Sequence, residues 1–274
     1  MFAYIDRAAR KELLAGGQLF FLDADGRPCA GRRRRQPPFL SVVGPIPLPI
    51  RVGRHERTFA WYAWVRNADL KRIEAVVEEV RARGPKRLFA LLSSFMAVNS
   101  VLVYGDFARA REPVVRVHSN CMTGDVFGSL RCDCGPQLEA ALRLIVRRRA
   151  GALIYMAGHE GRGIGLWAKA ITYILQDAGH DTYEANERLG LPVDSRDFSD
   201  AARIINYFRG SGSRIVLLGN NPLKRHALAA MGVVIVEQRP LVVGVTVHNS
   251  RYLKAKRRHG HLIAADRLRA RRRP

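Results

Sequence analysis

Three of the four cysteines of this 274-residue chain, Cys121, Cys132 and Cys134, lie within a stretch of fourteen residues. Thiolates are soft ligands that suit a tetrahedral zinc ion, and three protein ligands leave a fourth position for water. Cysteines also occur as small buried hydrophobic residues, and positions 132 and 134 of a strand would share one face. The polar segment 131–135 ends in Gly, however, which is typical of a turn in which both sulfurs converge. We therefore predict a catalytic zinc site.

Two further segments combine glycine or asparagine with charged side chains. Residues 157–165 form a Gly-rich loop between an apolar run and a helical pattern, and residues 219–224 do the same later in the chain. Free amides at a helix start suit a phosphate, and Arg162 or Lys224 would add a cation. Glu160 would accept hydrogen bonds from a guanine. Plain turns and helix caps are the alternatives for both loops.

Asp194 and Arg196 lie together in the Pro-containing stretch 191–198. A carboxylate can move protons there and an arginine can meet a phosphate, whereas a surface salt bridge is the alternative.

The formal charge of +22 predicts a polyanionic partner such as a nucleotide, a nucleic acid or a membrane surface. Arginine supplies most of it, because only seven of the 46 basic residues are Lys. Part of the charge lies in two tracts, 32–35 and 267–273, that are typical of solvated tails. Nucleic acid is therefore not expected as the main partner. No apolar run is long enough to span a membrane, and we predict a cytoplasmic protein with no membrane partner.

Hydrophobic periodicity predicts the helices and strands that would position these residues. After Gly135, helical patterns over 136–149, 164–178, 199–208 and 222–231 alternate with short apolar runs over 152–156, 215–218 and 233–237. Alternation of this length predicts an α/β fold, with α+β as the alternative: a mixed sheet with parallel strands flanked by helices. Ligands bind at the strand-to-loop junctions of such sheets. Ser199 is the expected N-cap of its helix.

The N-terminal half is expected to be organised differently. Residues 1–37 are basic and have no sustained period, which predicts a flexible segment, and 38–100 form a smaller β-rich part with a helical insertion beginning at Asp69. Within it, the prolines of 39–52 fit edge strands. A catalytic domain over 101–263 and a basic tail over 264–274 complete the predicted organisation.

From about Val101 to His261 the chain resembles the GTP cyclohydrolase II family. The resemblance rests on seven motifs in one order: Arg116-Val-His-Ser-x-Cys-x-Thr-Gly-Asp, Leu130-Arg-Cys-Asp-Cys-Gly, Glu160-Gly-Arg-Gly-Ile-Gly-Leu, Tyr173-x-Leu-Gln-Asp, Asp181-Thr-x-Glu-Ala-Asn, Asp194-x-Arg-Asp-Phe and Asn220-Asn-Pro-x-Lys.

The resemblance implies a zinc-dependent hydrolysis of GTP that opens the imidazole ring, releases formate and pyrophosphate, and begins riboflavin biosynthesis. Cys121, Cys132 and Cys134 would then hold the zinc ion. By the family's pattern Arg196 is the nucleophile on the α-phosphate, Asp194 is its proton acceptor, and Tyr173 lies near the opening ring. It also implies Mg²⁺ on the substrate triphosphate and a homodimer. The positions that match GTP contacts are Arg116, Val117, His118, Ser119, Asn120, Gln137, Glu160, Gly161, Arg162, Thr182, Gly219 and Lys224.

Three departures from the family's pattern bear on the substrate. Asn120 stands where the family usually has Glu, Gly158-His159 replaces Arg-Gln, and Gly219 replaces a Thr that touches substrate. A paralogue that acts on a different purine nucleotide, or that stops at a formylated intermediate, is therefore one alternative. A non-catalytic protein that binds nucleotides or nucleic acid is the other, although such a protein would be free to lose Cys132, Cys134 or Arg196.

Overall fold

The computed structural model describes residues 7–30, 38–69 and 98–268. Its strands are β1 (Leu19–Leu22), β2 (Pro28–Cys29), β3 (Leu40–Val52), β4 (His55–Arg66), β5 (Asn99–Tyr104), β6 (Val114–Ser119), β7 (Gly151–Met156), β8 (Arg214–Leu218) and β9 (Val234–Arg239). Its helices are α1 (Arg7–Ala15), α2 (Met122–Asp125), α3 (Cys134–Arg147), α4 (Gly165–Asp177), α5 (Glu184–Arg188), α6 (Ser199–Arg209), α7 (Pro222–Ala230) and α8 (Ser250–Arg258), with single 3₁₀ turns at Ala157–Arg162 and Ala265–Leu268.

These strands form a single mixed sheet in the order β2-β1-β3-β4-β5-β7-β6-β8-β9. The last four strands of this order, β7, β6, β8 and β9, are parallel, and the others pair antiparallel. The α/β class with a mixed sheet and flanking helices is therefore confirmed.

Apolar side chains cover both faces of the sheet. Helix α3 packs on one face, where Ala141 and Ile145 meet strands β6 and β7. Helices α6 and α7 pack on the other face, where Ile204 and Leu228 are buried. The chain therefore continues from β6 to a helix on one face of the sheet and from β8 to a helix on the other face. Where neighbouring parallel strands connect to opposite faces in this way, a crevice opens at their carboxyl ends.

The N-terminal strands share this core, and they continue the same sheet through the pairing of β4 with β5. Leu22 of β1 and Trp64 of β4 lie in one cluster with α6, and Arg66 donates to Asp197 and Asp200 beside that helix. Residues 19–29 were expected to be flexible, but their short apolar run pairs with β3. A run of four apolar residues is too short for periodicity to reveal.

Strand β3 shows why prolines misled part of the prediction. Residues 40–43 pair with both β1 and β4, so this half is internal. Residues 46–52 pair with β4 alone, and Pro47 and Pro49 lie there, as expected of an edge strand.

Helix boundaries agree with the periodicity to within about two residues. Ser199 was predicted as an N-cap, which is wrong: it is the first residue of α6, and the Asp197 carboxylate accepts from its backbone N–H. The predicted helical insertion, from residue 70 on, and the basic tracts 32–35 and 269–273 lie outside the described residues. Within the described part of the chain no helix is long and apolar enough to cross a membrane.

Candidate active site

The three cysteines converge directly after strand β6. Their Sγ atoms lie within 4.8 Å of one another, and those of Cys121 and Cys132 are 3.7 Å apart. Gly124 makes the convergence possible, because a Cβ at this position would lie 2.7 Å from Cys132 Sγ and 3.2 Å from Cys121 Sγ. Three sulfurs around one point fit a soft, tetrahedral divalent cation such as zinc.

A buried lysine from α4 supports this cluster. Lys169 Nζ lies 3.2 Å from Cys121 Sγ and donates to Glu160 Oε1 at 2.6 Å and to Thr123 Oγ1 at 2.9 Å. Hydrogen bonds from the Cys132 and Cys134 thiols lower the pKa of Cys121, with Lys169 adding to the effect. The lowered pKa favours the thiolate of Cys121, which is the form that binds metals.

The turn that carries Cys121 is anchored to the sheet through Asp125. Its carboxylate accepts from the backbone N–H of Cys121 at 3.1 Å and from Tyr155 Oη at 3.0 Å, and it lies 3.0 Å from His118 Nε2. His118 is 1% exposed, and burial lowers its pKa. His118 was predicted to contact the nucleotide, but its Nε2 is already at hydrogen-bond distance from the Asp125 carboxylate.

Three cations beside the cysteines have hydrogen-bonding capacity left over. Arg116 is 5% exposed, and its Nε has no partner among the described residues; the same holds for Nη2 of Arg162. Lys224 Nζ donates to a backbone carbonyl, that of Val117, at 2.8 Å. Burial, followed by the charges of Arg116 and Arg196, holds its pKa well below the usual range. Arg116 and Lys224 are buried and Arg162 is half-buried, so an anion bound between them would compensate their charges.

Asp194 and Arg196 form a bidentate ion pair beside Ser119. Arg196 Nε and Nη2 donate to the two carboxylate oxygens, and its Nη1 lies 3.3 Å from Ser119 Oγ. Burial would raise the pKa of Asp194, but the hydrogen bonds from Arg196 outweigh it and lower the pKa. The carboxylate is therefore ionised at neutral pH and able to accept a proton. The two side chains are nearly buried, which disfavours the simple surface salt bridge.

The departures near the cysteines fit their surroundings. Asn120 accepts from Tyr155 Oη at 2.8 Å and donates to the carbonyl of Ala157 at 3.1 Å, and a carboxylate could not make the second bond. Glu160 accepts from Lys169 and, at 2.6 Å, from the backbone N–H of Met122. Its role at a guanine stays a prediction, since both oxygens already have partners.

A single cavity brings together most of the predicted residues. Asp194, Val117 and Gly219 do not line it: the first contacts Arg196, and the carbonyl of the second accepts from Lys224. Tyr173 does, with its hydroxyl 3.1 Å from Thr123 Oγ1, and Thr182 offers its carbonyl to Arg162. The predicted residues that line the cavity are Arg116, His118, Ser119, Asn120, Cys121, Cys132, Cys134, Gln137, Glu160, Gly161, Arg162, Tyr173, Thr182, Arg196 and Lys224.

Sequence reasoning missed several charged residues of this site. Lys169, Lys256 and His261 also line the cavity. A signal existed for Lys169, which interrupts the apolar face of a helical pattern. Nothing in the sequence singles out Lys256, which lies in the strongly basic run 254–258 and reads as solvated.

His159 gives the site a measurable pH dependence. Burial, with the charges of Arg196 and Lys224, lowers its pKa to about 4, whereas an unfolded chain protonates histidine near pH 6.5. Between these values the unfolded state binds more protons, so stability is lost as the pH falls. Urea unfolding should show the wild type losing about 2 kcal/mol more than His159→Gln between pH 7 and pH 5. The exposed His226→Gln serves as control; equal losses for His159→Gln and the wild type would contradict this assignment.

Gly219 leaves room for the guanidinium of Arg116. A Cβ there would lie 2.9 Å from Arg116 Nη1, which donates to the carbonyl of Leu218 at 3.1 Å. The residue also has φ +152°, which disfavours a side chain. Restoring the family's residue with Gly219→Thr should therefore displace Arg116 and raise the KM for the predicted nucleotide substrate about tenfold. Steady-state kinetics would test this, with Gly210→Thr, at an open positive-φ position, as control. Tighter binding by Gly219→Thr would refute the steric reading.

The fold and the site together define an α/β enzyme with a three-cysteine candidate metal centre at the carboxyl ends of its parallel strands. The sequence model of the GTP cyclohydrolase II family matches residues 87–240, more than half of the chain. The chain belongs to this family.

Relatives identified by sequence carry the name riboflavin biosynthesis protein RibBA. The protein from Nocardia farcinica is 50% identical over 169 residues, which cover 61% of this chain and 40% of the relative. The Mycolicibacterium gilvum protein is 52% identical over 171 residues, 60% of this chain and 40% of the relative. The Salinispora tropica protein is 44% identical over 210 residues, 75% of this chain and 52% of the relative. The chain thus spans about half the length of these relatives, or less.

Proposed function

We propose that the protein is a zinc-dependent GTP cyclohydrolase II, which opens the imidazole ring of GTP and releases formate and pyrophosphate in riboflavin biosynthesis. The observation that carries this proposal is the cysteine cluster beside Arg116, Arg162 and Lys224, of which Arg116 and Arg162 each have a guanidinium nitrogen without a partner among the described residues, in a chain of this family. A guanine nucleotide supplies both an electrophilic ring carbon for a metal centre and a polyphosphate for the cations. We also propose that Mg²⁺ accompanies the triphosphate and that the enzyme works in the cytoplasm.

Cys121, Cys132 and Cys134 are the residues that would hold the zinc ion, which supplies an acidified water for hydrolysis when bound. Lys169 and Glu160 keep the Cys121 turn in place through their contacts with Cys121 Sγ and the Met122 amide. The Tyr173 hydroxyl, whose pKa is raised by burial, stays protonated and can donate to the opening ring.

At the phosphate end, Arg116, Arg162 and Lys224 neutralise the substrate's charge, and the Asp194–Arg196 pair meets the α-phosphate. The bidentate bond to Asp194 aims the guanidinium of Arg196, leaving Nη1 directed to Ser119. Orienting a rigid fork in this way reduces the entropy lost on binding phosphate. We propose that Arg196 attacks the α-phosphorus and displaces pyrophosphate while Asp194 takes the proton, and that water then cleaves the nitrogen–phosphorus bond to leave the 5'-monophosphate.

Mass spectrometry of the products formed from GTP, zinc and magnesium tests the function. A product lacking the ring carbon C8 and pyrophosphate is the expected result. A formylated pyrimidine would instead support the paralogue that stops early, for which the altered Asn120 and Gly219 are the motivating residues. Unchanged GTP would contradict the proposal and favour another purine nucleotide or a binding protein.

We further propose that the enzyme is a homodimer that associates through an apolar face of α4 and the loop before α3. Trp167 is 83% exposed and Ile174 70%, and Val126 and Phe127 of the loop are 68% and 66% exposed. At the margin Arg131 pairs with Asp177, which joins the loop to the helix and cancels two charges. In a chain of +22 charge, a neutral apolar face is where copies can approach each other.

A Trp167→Glu variant should shift the protein from dimer to monomer, because a carboxylate would be buried in the interface. Light scattering after size exclusion would show the halved mass. Leu14→Glu, on an exposed position of α1, should leave the mass unchanged. A dimeric Trp167→Glu protein would exclude this face as the interface.

A further inference from the structure

The segment that follows the family match packs directly on the cysteine loop. Asn249 is fully buried, and its Nδ2 donates to the carbonyl of Cys132 at 3.2 Å and to that of Gly244 at 2.8 Å. The next residues form α8, which is held by the buried side chains of Leu253 and Ala255. Helix α8 lies beyond residue 240, where the matched region ends.

Helix α8 delivers one cation to the centre of this loop. Lys256 Nζ donates to Asp133 Oδ1 at 3.0 Å, and the side chain of Asp133 is 1% exposed. Asp133 lies between two cysteines of the cluster. A buried carboxylate requires a compensating cation, and Lys256 is the one at hydrogen-bond distance within the described parts of the chain.

The second oxygen of Asp133 orients a residue of the cavity. Gln137 Nε2 donates to Asp133 Oδ2, and Gln137 Oε1 accepts from Arg116 Nη2 at 2.6 Å. A carboxylate can only accept and a guanidinium can only donate, so the amide of Gln137 has one possible orientation between them. An unbroken path of bonds therefore leads from Lys256 through Asp133 and Gln137 to Arg116.

Arg116 is the end of this path and the beginning of the nucleotide site. Its guanidinium is fixed by Gln137 and by the Leu218 carbonyl, and its Nε is left without a partner. Without Lys256, Asp133 would be an uncompensated buried anion, and Arg116 or Gln137 would turn towards it. The cation that faces the cavity would then be drawn away.

We propose that Lys256 is a positioning residue for nucleotide binding, which acts through Asp133 and Gln137 on Arg116. This inference rests on the proposed function, since the ligand is taken to be a guanine nucleotide. A salt bridge that only stabilises the fold is the competing explanation. The two differ in whether Lys256 and Gln137 act on affinity as one unit.

Calorimetric titration with a non-hydrolysable α,β-methylene analogue of GTP tests this, alongside kcat and KM for formate release. Lys256→Met should weaken binding of the analogue by about tenfold or more and raise KM in parallel, with kcat and the zinc-to-protein ratio little changed. Lys254→Met, at an exposed position of the same helix, should match the wild type. The double variant Gln137→Ala/Lys256→Met should bind the analogue as tightly as Gln137→Ala alone, because both changes interrupt the same path of hydrogen bonds.

Additive losses in the double variant, or unchanged affinity in Lys256→Met, would overturn the proposal. If Lys256→Met does not fold, Lys256→Gln, which still donates to Asp133 but lacks the charge, is measured by the same criterion with about fivefold weaker binding expected. If the wild type binds the analogue but releases no formate from GTP, the proposed function is refuted. The comparison of affinities for the analogue then still decides the role of Lys256. A wild type that does not bind the analogue would overturn both.

Discussion

A Cys132→Ser variant is expected to lose the proposed zinc ion and to release formate from GTP at less than about one-thousandth of the wild-type rate. The Cys132 sulfur lies 3.7 Å from that of Cys121, and the group of potential ligands found among the described residues consists of the three cysteines. A serine hydroxyl is a harder and far less acidic ligand than a thiol, and two remaining thiolates leave the ion open to competitors.

Cys29→Ser is the matched control, because Cys29 is the fourth cysteine and lies in strand β2, away from the site. Elemental analysis and formate release should both be unchanged in this variant. Zinc measured at one ion per chain in Cys132→Ser, together with wild-type formate release, would contradict the assignment of this cysteine.

The second large effect is expected for Arg196→Lys, which keeps the positive charge but loses the fork. The guanidinium makes two bonds to Asp194 and reaches Ser119 with its third nitrogen, a geometry that a single ammonium cannot reproduce. Pyrophosphate release should fall by about a thousandfold, because the proposed interaction of the guanidinium with the α-phosphate is lost together with its orientation.

Zinc content and thermal stability distinguish this loss from damage to the fold, and both should stay near the wild-type values. Arg225→Lys, the same change on an exposed position of α7, should retain full activity. Asp194→Asn should also be slow, because the amide cannot accept both bonds from the guanidinium or take a proton. An Arg196→Lys enzyme with wild-type pyrophosphate release would refute the proposed role of Arg196.

The proposed roles of the three cysteines and of the Asp194–Arg196 pair can therefore be tested separately, because they concern different products. Loss of metal acts on the ring-opening step and should abolish formate release. Loss of the Asp194–Arg196 pair acts on the phosphate and should impair pyrophosphate release with the metal still bound. Measuring both products in each variant decides whether the two halves of the site act on the same substrate.

Local patterns in the sequence determined a large part of this protein. Alternating apolar runs and helical periods predict β7, β8 and the helices α3, α4, α6 and α7 to within about two residues. The candidate motif residues, from the cysteines to Arg196, could also be singled out in the sequence, by residue types at short spacing and by the resemblance to a known family. These are properties of neighbouring residues, so they can be read without knowing the fold.

Contacts between distant residues decided the rest. The pairing of β1 with β3 depends on partners twenty or so residues apart, and the burial of Lys169 depends on which way α4 faces the cysteines. Lys256 looks solvated in its basic run, yet it neutralises Asp133, which is 123 residues away. A buried charge is stable only beside its partner, and only the tertiary structure determines which residue that partner is.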